Sequence, residues 1–376
     1  MLLDQGASAR DTVPFPAYID STSHGHLVPQ AEFTVLSQAI LTGSSYGMIK
    51  RLLEHGAHIH ERLEYYSDGP GFWDSGIAVQ DVTALHLLGW SWNVDGIRAL
   101  LDHRHEGGLN QADLVSCRDS MGRLPLHWAA AGSDLSFEPF LAENTLIETI
   151  TSTFELLLPT DDKAATAKLI NSRDKEGVTP LHYAVQAYAS CGSEGSNHAL
   201  YTIQWLCSQG ADASITDHKM QTVLHRLARS SLDGEPIDLN IIKLLLAHGC
   251  PVDASDPDHE TPLHILARHL RQAHAAKMLI EYGARVDVIN KKGNLPLHEA
   301  MRGAMRPMLS WDGQRQEPVL LEDCIDAQNQ VIEALLDAHG TCSVLDQPNI
   351  EGRTPRQLRE ETRRKWKEMD ARIQRK

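Results

Sequence analysis

The sequence predicts an all-α solenoid in which helix-turn-helix repeats are joined by β-turn or hairpin loops. One observation is a four-residue phrase close to Thr-Pro-Leu-His, and its copies begin at Leu124, Thr179, Thr222, Thr261 and Leu295. The other is an acidic or amide residue five positions before each copy: Asp119, Asp174, Asp217, Asp256 and Asn290. Such repetition is typical of an array of one supersecondary unit, whose function lies on its surface rather than in one pocket.

Residues 217–250 show the signals of one repeat most clearly. Thr222 is a predicted N-cap, whose hydroxyl would accept a hydrogen bond from an N–H of the first turn. Apolar residues at helical spacing follow over 224–228, and a second, more apolar stretch covers 241–246. Gly249 then supplies the left-handed residue that commonly ends a helix. The repeat is therefore predicted to be a pair of helices.

The remaining copies repeat these start and stop signals. Pro180 and Pro262 occupy the first helical position, where the missing N–H removes no helix bond. From the glycine that ends one repeat to the start of the next phrase is 12 residues in three successive cases, beginning at Gly210, Gly249 and Gly283. In these features the chain resembles the ankyrin-repeat family, whose unit is a β-turn followed by two antiparallel helices, with a period of roughly 33 residues.

Weaker copies of the phrase extend the array in both directions. They begin at Thr34, Thr83 and Thr354. We expect an N-terminal half-repeat and irregular cap over 1–33 and a C-terminal partial repeat with a basic helix over 351–376. Between them, 34–350 is predicted to hold about seven repeats, which start near 34, 83, 124, 179, 222, 261 and 295.

Several repeats are lengthened by insertions, and insertions in solenoids often collect on the binding face. Residues 61–80 contain four aromatic side chains that are candidate anchors for a partner: Tyr65, Tyr66, Phe72 and Trp73. The alternative is that the aromatic side chains fold back and cover the flank of the stack. Both interpretations also apply to the shorter tryptophan-bearing inserts at 89–93 and 302–320.

Twenty histidines raise the possibility of metal or acid–base chemistry. The resemblance implies that the histidine of each phrase is structural, bonding locally and joining adjacent repeats. His55, His58 and His60 form the best candidate for a metal site, but they lie in a turn, without cysteine or helical spacing. No phosphate-binding or zinc-protease motif is present. We therefore predict no catalytic residue, no metal and no cofactor.

The charge of the chain is strongly uneven. The net charge is −15, yet residues 352–376 carry +6, which leaves −21 on the rest. An acidic body disfavours general nucleic-acid binding, because that binding requires cations against phosphates. The first residues do not resemble a signal peptide, and no apolar run is long enough to span a membrane. We expect an intracellular protein, cytoplasmic or nuclear, with protein partners and no direct contact with nucleic acid or membrane.

The basic tail has two interpretations. Arg363, Arg364, Lys365 and Lys367 form a short cluster of the kind used for nuclear import. The alternative is a solvated helix that caps the last repeat. The resemblance implies a non-catalytic scaffold or adaptor that grips a protein with a concave surface of hairpin tips and first helices. Irregular, insert-rich arrays resemble those of filamentous fungi, some of which are transcription co-regulators of biosynthetic gene clusters. An enzyme or enzyme subunit with a site built from the inserts is the alternative.

Overall fold

Helix pairs recur along the computed structural model of the chain. It describes residues 8–9, 12–14, 32–59, 62–66, 78–103, 110–132, 143–158, 162–190, 196–230, 236–305, 320–340 and 342–373. Within these ranges, helices make up most of the regular structure, and the only sheets are two antiparallel strand pairs. The predicted all-α helix-turn-helix fold is confirmed. Contacts divide the chain into an N-terminal body, Met1–Tyr188 with Asn197–Ala211, and a C-terminal body, Ala189–Ser196 with Asp212–Lys376.

The N-terminal body holds both strand pairs and ten helices among its described residues. The strands are β1 (Thr12–Pro14) with β2 (Glu32–Thr34), and β3 (Leu63–Tyr66) with β4 (Ala78–Val82). The helices are α1 (Val35–Leu41), α2 (Tyr46–Glu54), α3 (Ala84–Trp90), α4 (Val94–His103), α5 (Gln111–Val115), α6 (Pro125–Ala131), α7 (Glu143–Leu157), α8 (Lys163–Ile170), α9 (Pro180–Ser190) and α10 (Ser196–Ser208).

The C-terminal body is described as seven α-helices and two short 3-10 helices. The α-helices are α11 (Val223–Ser230), α12 (Leu239–Ala247), α13 (Pro262–Arg268), α14 (Ala273–Glu281), α15 (Pro296–Arg302), α16 (Leu321–His339) and α17 (Pro355–Ile373). The 3-10 helices are Leu270–Gln272 and Cys342–Asp346. Each first helix therefore begins directly after the first residue of its phrase.

Glycine ends the second helices, as the sequence predicted for Gly249. Gly56, Gly210, Gly249 and Gly283 follow α2, α10, α12 and α14 with φ between 86° and 94°. This is a backbone conformation that L-residues other than glycine rarely adopt, so glycine at these positions avoids strain. The same local signal therefore ends the second helix in both bodies.

The core of each body lies between the facing helices of successive repeats. Leu85 and Leu100 in the N-terminal body are buried, as are Ile241, Leu263 and Leu297 in the C-terminal body. Burying one such side chain contributes about 1.5–3 kcal/mol. Packing across repeats therefore stabilises first helices of seven or eight residues, which are too short to be stable alone.

Two of the longer repeats contain an extra helix. The helices α5 and α8 stand between a second helix and the next hairpin tip. Asn110 accepts from the N–H of Asp113 at the start of α5, and Asp162 accepts from the N–H groups of Ala164 and Ala165 at the start of α8. Local caps therefore fold the added residues into helices after the second helix of each repeat.

One of the two tryptophans of the insert at 89–93 belongs to the core. Trp92 is 3% exposed, its indole N–H donates to the Ala129 carbonyl at 2.9 Å, and its ring meets His198 edge-on. A Cβ on Gly132 would lie 2.4 Å from the Trp92 ring. For Trp92 the covering interpretation is therefore the one the structure supports. Residues 1–7 and 306–319, where the sequence predicted a half-repeat and part of the third insert, lie outside the described residues.

Candidate interaction surface

The histidine of each phrase is a buried connector. The backbone N–H of Thr261 donates to His264 Nδ1 at 3.2 Å, and the Thr261 hydroxyl lies 2.9 Å from the same nitrogen. His264 Nε2 is 3.1 Å from the Asn294 carbonyl oxygen in the next repeat. Because a carbonyl only accepts, Nε2 carries the proton and the hydroxyl donates to Nδ1. The equivalent bond to the next repeat is made by His86, His127, His225 and His298.

The role of the phrase threonine differs from the prediction. Thr222 was expected to accept from the helix, but its hydroxyl lies 2.9 Å from His225 Nδ1 and therefore donates. Thr34 does accept, from the N–H of Ser37 at 3.2 Å, and Ser37 stands where other repeats carry histidine. Where the histidine is present, the threonine hydroxyl therefore donates its proton to the ring nitrogen.

Burial keeps the phrase histidines neutral. It lowers the pKa of His86 to about 4 and that of His127 to about 3, because a buried ring has lost the water that would stabilise its charged form. Burial likewise lowers the pKa of His225 and His264. Both ring nitrogens already hold hydrogen bonds, so these side chains are not placed to bind metal or to transfer protons.

The histidines before the helix-ending glycines use the opposite ring nitrogen. Nδ1 of His55 lies 2.8 Å from the Arg51 carbonyl, and Nδ1 of His248 lies 2.9 Å from the Leu244 carbonyl. His58 is exposed, and His60 lies outside the described residues. Within the part of the chain that the structure describes, no group of three or more His, Cys, Asp or Glu side chains could hold a metal ion.

The acidic or amide residue before each phrase organises the hairpin tip. Asp174 Oδ1 accepts from the N–H groups of Glu176 and Val178, and its Oδ2 accepts from the Tyr183 hydroxyl at 2.7 Å. Tyr183 follows the phrase histidine directly. The equivalent pairs are Asp119 with the Trp128 N–H and Asp217 with the Arg226 guanidinium.

In one repeat this pair is chemically reversed. Asn290 takes the place of aspartate, and its amide donates to the Glu299 carboxylate at 3.2 Å. Aspartate therefore meets a donor and asparagine meets an acceptor. Sequence reasoning missed this pairing, although the residue after the phrase histidine carried the signal in four of the five repeats, as Trp128, Tyr183, Arg226 and Glu299.

Ion pairs extend across the first helices of the C-terminal body. Arg229 of α11 contacts Asp256 at 2.7 Å and Glu260 at 3.4 Å. Arg268 of α13 pairs with Glu260 and with Glu299, the latter at 2.9 Å. Both arginines stand four residues after a phrase histidine and are partly exposed. Each arginine therefore links its own first helix to a carboxylate of the next repeat.

The hairpin tips of the C-terminal body expose large side chains. Met220 and His259 have φ of 55° and 57°, at the position where the hairpin at 290–294 has Gly293. Both side chains are exposed, Met220 to 57%. A residue other than glycine costs about 1–2 kcal/mol in this conformation. These two side chains therefore remain at the tips despite backbone strain.

Only part of the predicted aromatic anchor is described. Tyr65 and Tyr66 lie in β3, paired with Val79 and Ala78 of β4, while Phe72 and Trp73 lie outside the described residues. Whether the four candidates lie together is therefore left open by the described residues.

The four basic residues predicted for import lie on α17 in different surroundings. Arg363 donates to Gln328 at 2.9 Å and to Asn329 at 2.6 Å, both on α16. Lys365 lies 3.1 Å from Glu361, whereas Arg364 and Lys367 are exposed. Arg363 therefore helps to attach α17 to α16.

Among the helices of the described ranges, none is long and apolar enough to cross a membrane.

Comparison with known proteins identifies the repeat. A family model described as ankyrin repeats, in three copies, matches residues 188–290 and 236–310. Mouse inversin is 28% identical over 231 residues, which cover 52% of this chain and 19% of inversin. The probable 26S proteasome regulatory subunit p28 of Saccharomyces cerevisiae is 27% identical over 211 residues, covering 49% and 81%. The crystal structure of the Bcl-3 ankyrin repeat domain is 18% identical, covers 81% and 98%, and has a TM-score of 0.42.

Proposed function

We propose that this chain, which is an ankyrin-repeat protein, is a non-catalytic scaffold or adaptor that binds a protein partner. Ankyrin repeats are protein-interaction repeats, and a role in protein–protein interaction follows from the family. The observation that carries the proposal is that the reactive side chains are buried while large side chains are exposed at the hairpin tips. The reactive types in the phrases, such as His264 and Asp256, are buried and bonded within the frame, while large side chains such as Met220 are exposed at the tips.

Hydrogen bonds between neighbouring hairpin tips favour binding through a surface that is already ordered. The tips at 258–259 and 291–293 are joined by a hydrogen bond from the Lys291 N–H to the Asp258 carbonyl at 2.9 Å. The Ile350 N–H in turn donates to the Lys292 carbonyl at 3.2 Å. Because these tips are already fixed, little conformational freedom is lost when a partner binds them.

Affinity capture from native cells tests the binding role. The bait is the full chain, compared with a Met220→Gly/His259→Gly variant, which installs the residue that Gly293 provides in the neighbouring hairpin. The control variant, Lys243→Ala/Lys277→Ala, changes exposed residues on the second helices α12 and α14. We expect proteins that the full chain and the control both retain and that the glycine variant loses. If no protein is enriched over an empty bait, the proposed function fails.

A narrower role as transcription co-regulator of a biosynthetic gene cluster is part of the proposal. It is supported by the resemblance to insert-rich arrays and by the basic residues of α17. Because Arg363 holds α16, the import test substitutes Arg364, Lys365 and Lys367 by Gln and leaves the helix in place. A fluorescently tagged variant should lose nuclear accumulation, while the same change at Lys50, Lys243 and Lys277 should not. Unchanged nuclear accumulation in the first variant would end the import hypothesis.

The aromatic insert is proposed as a second contact region. Replacing Tyr65, Tyr66, Phe72 and Trp73 by Ser and Ala in the capture experiment should reduce the recovery of at least one partner. If every partner is retained by a folded variant, the insert is only a cover. Within the described residues no observation favours the enzyme alternative.

A further inference from the structure

The arginine four residues after the phrase histidine recurs in three successive repeats of the C-terminal body. These arginines are Arg229, Arg268 and Arg302. The contacts of the first two identify four facing positions. One lies in the same repeat, four residues after the acidic or amide residue that precedes the phrase, and is Glu260 for Arg268. Three lie in the next repeat: the acidic or amide residue itself (Asp256 for Arg229), the residue four after it (Glu260 for Arg229), and the residue that follows the phrase histidine (Glu299 for Arg268).

Two acidic residues occupy the four positions around each of the first two arginines. Arg229 faces Asp256 and Glu260, at 2.7 and 3.4 Å. Arg268 faces Glu260 and Glu299. Both guanidinium groups are thus neutralised by carboxylates of their own or the next repeat.

Around Arg302 the same positions carry no acid. They are occupied by Asn294, Asn349, Arg353 and Leu358. Asn294 and Asn349 bond to each other at 2.7 Å, Leu358 is buried, and Arg353 pairs with Glu361. Arg302 itself is exposed and forms no hydrogen bond or ion pair with any residue that the structure describes. One guanidinium in the row therefore faces solvent with its hydrogen-bond donors available.

The hairpin tip of the same repeat is also basic. Lys291 and Lys292 are exposed there, and the Lys292 carbonyl accepts from the Ile350 N–H of the next hairpin. Outside residues 352–376 the chain carries a net charge of −21. A short acidic segment is attracted to such a basic region, whereas a long nucleic acid would also meet the acidic body.

We infer that Arg302, together with Lys291 and Lys292, forms a docking site for an acidic segment of the protein partner. A partner carboxylate takes the place beside Arg302 that Glu260 and Glu299 take beside Arg268. Arginine suits this role because its planar fork binds a carboxylate through two hydrogen bonds. The inference rests on the proposed function and specifies the partner's chemistry.

Fluorescence anisotropy with the full chain tests the site. The probe is a short labelled peptide rich in Asp and Glu, and its counterpart carries Asn and Gln instead. At about 50 mM salt, where the Debye length is on the order of 14 Å, we expect the acidic peptide to bind and the counterpart not to bind. Arg302→Glu should weaken binding by about tenfold or more, and Arg302→Lys by less.

Arg285→Glu is the matched control, because it makes the same charge change on an exposed arginine of the same body. Arg285 already pairs with Asp287 at 3.1 Å. We expect its affinity for the acidic peptide to stay within about twofold of the unmodified chain. An equal loss in both variants means that only net charge matters, and it overturns the site. Tighter, Arg302-dependent binding of single-stranded DNA than of the peptide overturns the acidic-protein assignment.

Asn349→Asp gives an independent test that leaves Arg302 intact. Asn349 stands to Arg302 as Asp256 stands to Arg229, so the new carboxylate would neutralise Arg302 within the chain. Weaker peptide binding is expected, and unchanged binding contradicts the site. If Arg302→Glu loses neither the peptide nor any captured protein while capture by the full chain persists, this inference fails and the proposed function stands.

Discussion

The Nε2–H of His264 donates to the backbone carbonyl of Asn294, 3.1 Å away and 30 residues further along the chain. The other ring nitrogen of His264 accepts from Thr261, at the start of its own helix. One side chain thus satisfies a helix start and a carbonyl of the next repeat at once. The repeated phrase is therefore the means by which each repeat is joined to its neighbour.

Removing this connector should destabilise the fold. His264→Ala leaves the Thr261 N–H and the Asn294 carbonyl without their partner, and we expect the free energy of unfolding to fall by about 3 kcal/mol. His264→Gln should lose less, because Gln357 Oε1 accepts from the Thr354 N–H at 3.0 Å in the last repeat. Urea unfolding followed by circular dichroism measures both changes. The control His248→Ala, which removes one partly exposed bond, should lose no more than about 1 kcal/mol. Equal losses at 264 and 248 would contradict the connector role.

Stability should fall on mild acidification. The unfolded chain binds protons at its histidines near pH 6.5, whereas the folded pKa is about 4 for His86 and about 3 for His127. Between those values the unfolded state binds more protons, so the free energy of unfolding decreases as the pH falls from 6.5. Each such histidine contributes up to about 1.4 kcal/mol per pH unit. Urea midpoints from pH 7.5 to 5 check this, since most carboxylates titrate lower. A midpoint independent of pH in that range would contradict it.

The reversed pair in the repeat that begins at Leu295 predicts a charge conflict. Asn290→Asp would set a second carboxylate 3.2 Å from Glu299 Oε1, and we expect a loss of about 2 kcal/mol at pH 7. Adding Glu299→Gln supplies an amide donor and should recover part of the loss. A double-mutant cycle on the free energy of unfolding measures the coupling. Additive effects of the two substitutions would show that the residues do not interact.

Gly132 should tolerate no side chain. Its φ of 66° with ψ of 163° lies in a region reached almost only by glycine, and a Cβ would overlap Trp92. We expect Gly132→Ala to lower the free energy of unfolding by about 3 kcal/mol or more. Gly340→Ala is the comparison, because Gly340 has the same φ, a left-handed conformation and open space around it. It should cost about 1 kcal/mol. Equal costs would mean that Trp92 does not pack there.

Local signals explain how much of this fold was predictable. The start of α13 at Pro262 and the end of α12 before Gly249 depend on residues a few positions away, and the sequence predicted both. The pairing of Arg229 with Asp256 depends on two repeats that pack together, so no local sequence pattern predicted it. The solvent-facing position of Arg302 became visible only after the facing residues of the other repeats were known.

The central claim is that the phrase histidines are buried and join adjacent repeats, which leaves partner binding to exposed side chains. Carbethoxylation of the native chain by diethyl pyrocarbonate, mapped by mass spectrometry, tests it directly. We predict fast modification of the exposed histidines His58, His218, His259 and His274. We predict protection of the buried phrase histidines His86, His127, His182, His225, His264 and His298. Modification of the phrase histidines at the rate of the exposed ones, in folded protein, would contradict the account.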